Sequence, residues 1–157
     1  MRFALKGLLL AGLLGGSIVA QAAGSIQGMR FGDWGGNCEG QMCYLQQVLS
    51  QGDKPLLVTA IGYAPGKPLP TIIFDLPAGS APQQGLELQV DAKLPIKFKG
   101  SCDKAACRAG FALDERMLHQ FRKGSKATLS VRLEPKQKPV KLPLSLMGFT
   151  KGLSMLR

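Results

Sequence analysis

The chain has 157 residues, 45% of them hydrophobic, which supports one hydrophobic core rather than two and excludes a disordered chain. Its 20 Gly and 10 Pro exceed the usual share and favour a turn-rich β fold over a helical bundle, while a single His disfavours a zinc enzyme or a His-based triad. The formal charge is +10 and uneven: residues 23–92 hold 3 Lys/Arg against 6 Asp/Glu, whereas residues 93–157 hold 15 against 4, so the second half attracts anionic partners.

Residues 1–22 read as a secretory signal peptide. Arg2 and Lys6 open it, an apolar run follows from Leu8 to Ala20, and Ala20-Gln21-Ala22 supplies the small residues of a cleavage site. The apolar run is shorter than the roughly 20 residues of a spanning helix, and the mature chain has no transmembrane segment. Residues 23–157 are expected as one domain, periplasmic, or secreted or outer-surface associated.

Trp34 is the chain's only tryptophan and is expected to anchor the core, with Asp33 beside it. Gly35-Gly36 marks a bend or bulge. Met42–Ser50 reads as a strand and Gln51–Pro55 as a turn. Leu56–Tyr63 is apolar nearly throughout, as in a central strand buried on both faces. Thr71–Leu76 is another strand, and Pro77–Gly85 a loop.

The second half alternates with period two. Leu86, Leu88 and Val90 oppose Glu87, Gln89 and Asp91; Ile96 and Phe98 oppose Lys97 and Lys99. Leu129, Val131 and Leu133 oppose Ser130 and Arg132, and Val140–Leu146 alternates in the same way. Pro143 has no N–H and places its strand at a sheet edge. Between these strands Asp114 caps a helix with Met117, Leu118 and Phe121 on its apolar face, stopped by Gly124. Phe149, Leu153 and Leu156 mark a short C-terminal helix. The fold class is therefore mainly β: a β-sandwich with one short helix between strands and a short C-terminal helix.

Four cysteines form two C-x4-C pairs, Cys38/Cys43 and Cys102/Cys107. In an exported chain an even count implies disulfides. Local pairing across each turn is the first expectation, and cross-pairing between the two sites the second. Neither pair has the two-residue spacing of a redox motif, and an oxidising compartment disfavours a four-thiolate zinc site.

An ordered series of segments resembles a known family. Phe31-Gly32-Asp33-Trp34 precedes the first C-x4-C, followed by Tyr44–Leu49, Lys54-Pro55-Leu56-Leu57-Val58 and Ile61-Gly62-Tyr63. Leu76-Pro77-Ala78-Gly79 comes next, then the second C-x4-C with Arg108-Ala109, and Lys123-Gly124 before Ala127-Thr128. The series ends with Leu142-Pro143-Leu144-Ser145-Leu146 and Gly148-Phe149-Thr150. From Phe31 to Arg157 the chain resembles the invasion-associated locus B family of small exported bacterial proteins. The resemblance implies an immunoglobulin-like β-sandwich and a link to host-cell invasion in pathogens. It supplies no catalytic residues. Gly35-Gly36-Asn37 departs from the family's pattern and leaves the length of the first strand open.

The residues thus point to a non-enzymatic envelope protein without metal or cofactor. His119 lacks a positioned nucleophile and orienting carboxylate. Lys97, Lys99, Lys104, Arg108, Arg132 and Lys141 are expected to form one anion-binding face. The expected partner is an anionic envelope or host-surface component, or another envelope protein. Nucleic acid is disfavoured, since no aromatics interleave with these cations to stack bases. The alternative is a periplasmic accessory or chaperone-like factor whose open edge strand accepts a client strand.

Overall fold

Period-two patterning resolves into two antiparallel sheets packed face to face. The computed structural model describes residues 25–157, so the expected signal at 1–22 lies outside the described residues. The strands are β1 (Arg30–Phe31), β2 (Trp34–Glu39), β3 (Met42–Gln51), β4 (Lys54–Gly62), β5 (Thr71–Leu76) and β6 (Leu86–Val90). They continue with β7 (Ile96–Phe98), β8 (Gly100–Cys102), β9 (Cys107–Ala112), β10 (Lys126–Val131) and β11 (Val140–Ser145). One sheet has seven strands in the order β1-β2-β3-β4-β5-β9-β8. The other has four, in the order β11-β10-β6-β7.

The core lies between the sheets. Leu45, Ile61, Ile72 and Phe74 face it from the larger sheet, and Leu88, Leu129 and Leu144 from the smaller. Each such side chain contributes roughly 1.5–3 kcal/mol on burial. Phe98 packs against Phe111 and Phe74, with ring centroids 4.8 and 5.8 Å apart, and so ties β7 to the larger sheet. Trp34 is fully buried, as its role of core anchor requires.

Two helices close the sandwich. In α1 (Glu115–Lys123), the Asp114 side chain accepts from Met117 N at 2.7 Å. Arg122 and Lys123 in its last turn complement the helix dipole. This helix crosses from β9 of one sheet to β10 of the other. The second helix, α2 (Phe149–Ser154), buries Phe149 and Leu153. Phe149 packs at a tilt against Trp34 and edge-on against Phe121, with ring centroids 5.9 and 5.3 Å apart.

Two expectations are corrected. Gly35 and Gly36 sit inside β2 in continuous register; the bulge falls at Leu49/Ser50. Gly36 is small because a Cβ there would stand 2.3 Å from Ile26 O. β4 is buried on one face only: Leu57, Thr59 and Ile61 are inside, while Val58 and Ala60 are half-buried on the outer face. The second cysteine pair lies in a hairpin, β8–β9, as local pairing across its turn requires, and β9, which alternation does not mark, runs on to Ala112 as an interior strand of the larger sheet.

Candidate anion-binding face

The disulfides are the local pair, Cys38–Cys43 and Cys102–Cys107. Each joins directly opposed residues of a hairpin, Cys38↔Cys43 in β2–β3 and Cys102↔Cys107 in β8–β9, with Cα atoms 4.0 Å apart. Directly opposed antiparallel positions bring the two Cβ atoms within disulfide reach.

On the outer face of the four-stranded sheet, register builds a polar row. Lys97 lies opposite Glu87, Glu87 opposite Ser130, and Ser130 opposite Lys141. Lys97 Nζ is 3.4 Å from Glu87 Oε1, and both side chains are well exposed, so the pair contributes little to stability. Beyond the row a cavity of about 490 Å³ opens, lined by Lys97, Lys99, Arg132, Glu87, Gln84 and Pro139, among others. Arg132 is half-buried, and its Nη1 has neither solvent nor a hydrogen-bond partner. Lys97 and Lys99 from one segment and Arg132 from another thus line one cavity whose lining includes a single carboxylate, Glu87.

The other two expected members lie elsewhere. Arg108 is on the outer face of β9, where its Nε donates to Asp75 Oδ1; that hydrogen bond and the opposite charge raise its pKa. Lys104 is exposed in the β8–β9 turn. The turn is held by Asp103, whose Oδ1 accepts from Ala105 N and Ala106 N at 2.8 and 2.9 Å, which lowers its pKa. The six cations therefore divide between the two sheets. Pairing of β9 with β5 assigns Arg108 to the larger one.

Other titratable residues have structural duties or stand alone. Asp91 accepts from the N–H groups of Ser125 and Lys126. His119 is exposed on α1. Among the described residues no group of three or more His, Cys, Asp or Glu converges as a metal site would require.

A second concavity was not foreseen. The outer face of the larger sheet holds a space of about 450 Å³ floored by Ala60, Gly62 and Ile73 and flanked by Tyr44, Tyr63 and Arg108. Glu39 accepts the Tyr44 hydroxyl at 2.9 Å, which raises the tyrosine's pKa. Arg157 lies over the Tyr63 ring at 4.4 Å. The outward small residues of β4 were its one sequence signal.

Comparison with known proteins gives the family context. No curated protein sequence matches the chain. Among solved structures, the crystal structure of invasion associated protein B from Bartonella henselae superposes with a TM-score of 0.70 and 22% identity. That match covers 81% of this chain and 93% of the other, and it carries the fold. The profile described as "Invasion associated locus B (IalB) protein" matches residues 35–157. The chain belongs to the invasion associated locus B family.

Proposed function

We propose that the protein is an exported, non-enzymatic component of the bacterial envelope that binds an anionic envelope or host-surface molecule through the Lys97–Lys99–Arg132 cavity. The observation that carries this reading is the convergence of three cations on one concavity with Glu87 as its only acid. A phosphate or sulfate cluster complements that charge. Lys141 extends the cationic surface along the Ser130 row. Two disulfides and family membership support an oxidising compartment outside the cytoplasm, periplasmic or at the outer surface. A role in host-cell interaction rests on the family name alone.

The edge of β11 argues against client-strand addition there. Ser145 N and O, which face away from β10, already bond the Gln47 side chain, and Pro143 has no donor. A charged Lys141 occupies the next outward position.

The test is retention of the purified protein on immobilised heparin and on lipopolysaccharide aggregates. Binding that weakens as salt rises is expected. No retention on either polyanion at low salt contradicts the reading.

A further inference from the structure

The four-stranded sheet has a second basic end, away from the cavity. Glu87 and Ser130 pair near the cavity, whereas Val90 and Ala127 pair at the opposite end of the same strands. There the β6–β7 turn, the start of β10 and the end of β11 meet. Asp91 N donates to Lys126 O at 3.0 Å, and Leu146 N donates to Ser125 O at 3.3 Å.

The two most exposed large apolar residues among those described leave from this end: Leu94, 82% exposed, and Met147, 67% exposed. Both are presented by hydrogen-bonded turns. Lys93 N donates to Val90 O at 2.9 Å, and Gln89 Nε2 donates to Lys93 O at 2.8 Å. Met147 N donates to Ser145 Oγ at 3.2 Å, and Met147 O accepts from Asp33 N at 3.1 Å.

Cations surround them. Lys93 is exposed in the β6–β7 turn, Lys126 at the start of β10, and Lys123 at the end of α1 just before β10. Arg122 and Lys151 are exposed beside them, where Thr150 Oγ1 donates to Arg122 O at 3.4 Å. The carboxylates at this end are turned to protein donors. Asp91 receives Ser125 N and Lys126 N, and Asp33 Oδ2 receives Ser145 Oγ at 2.6 Å.

We infer that this end docks on an anionic phospholipid bilayer. Leu94 and Met147 enter the boundary between headgroups and acyl chains, and the flanking cations meet lipid phosphates. The apolar contacts are isolated side chains at turn tips rather than a groove or continuous patch, which suits a fluid lipid surface better than a shaped protein partner. Docking this way leaves the cavity at the far end of β6 and β10 free.

The test is co-sedimentation of the purified protein with phosphatidylglycerol–phosphatidylcholine vesicles, against phosphatidylcholine alone. Binding to the anionic vesicles only is expected. Leu94→Ser/Met147→Ser should lower it about tenfold or more. Lys93→Glu/Lys123→Glu/Lys126→Glu should lower it by about fivefold or more per charge. All substituted positions are exposed, and circular dichroism verifies folding. Lys97→Glu/Lys99→Glu should leave vesicle binding intact, which separates this surface from the cavity. The inference is overturned if the wild type does not sediment with anionic vesicles. It is also overturned if Leu94→Ser/Met147→Ser sediments like wild type, or if the cavity variant alone abolishes binding. Loss of heparin and lipopolysaccharide binding with vesicle binding retained would remove the cavity reading and leave this one standing.

Discussion

Trp34 Nε1 donates to the backbone carbonyl of Ser145 at 3.0 Å, joining β2 of the larger sheet to the end of β11 in the smaller. Gln47 reinforces the join: its Oε1 accepts from Ser145 N at 2.9 Å and its Nε2 donates to Ser145 O at 3.2 Å. Ser145 is thus bonded on its outer edge much as by another strand.

Trp34→Phe removes that indole donor and some volume, and should cost about 1–3 kcal/mol. Trp34→Ala should cost about 3–5 kcal/mol. Urea unfolding of the two variants checks the order. Equal stability of wild type and Trp34→Phe would contradict a cross-sheet role for the hydrogen bond.

Gly148 has φ +85°, and a Cβ there would stand 1.9 Å from Phe31 O. Gly148→Ala therefore combines a left-handed backbone with a backbone clash, and should cost about 2 kcal/mol or more. Gly40, also left-handed at φ +61° but open to solvent, is the control. Gly40→Ala should cost about 1 kcal/mol. Thermal unfolding should rank them in that order.

Each disulfide closes a loop with a sequence separation of 5, so chain entropy assigns it about 2 kcal/mol. Replacing Cys38 and Cys43 together by Ala should cost about that much. The Cys102/Cys107 pair should cost more, because Cys107 is only 2% exposed and packs in the core. Guanidinium midpoints measure the difference. Neither change should alter heparin binding, since neither hairpin lines the cavity.

Asp103 has a lowered pKa, first because Ala105 N and Ala106 N donate to it. Its contribution to the β8–β9 turn is complete above the unfolded-state value and fades as pH falls through the lower folded value. A carboxyl-carbon NMR titration should place its midpoint below that of an ordinary aspartate. A midpoint at or above that of an ordinary aspartate would contradict the turn geometry.

Legibility in the sequence followed the strength of local signals. The helix over Glu115–Lys123 declared itself through Asp114 and Gly124, and Pro143 announced an edge strand. β9 was hidden because Cys107-Arg108-Ala109-Gly110 carries small residues where alternation usually shows. Gly110 is required there, since a Cβ would stand 2.5 Å from Ile72 O. Without β9 the sequence pattern gives Arg108 no sheet, and nothing local separates it from the cations that alternation places outward; the β5–β9 pairing does. Lys97 and Lys141 share a row through the pairing of β7 with β6 and β10 with β11, a long-range fact that period-two patterning does not contain.

In the proposed function, charge at one place rather than net charge binds the polyanion. The most direct measurement compares heparin affinity of wild type, Lys97→Glu/Lys99→Glu and Lys67→Glu/Lys104→Glu by calorimetry at fixed salt. The two variants change net charge equally, but Lys67 and Lys104 lie outside the cavity. A loss of about tenfold or more is expected for Lys97→Glu/Lys99→Glu and a small change for the other. Equal losses in both, or unchanged affinity of Lys97→Glu/Lys99→Glu, would contradict it.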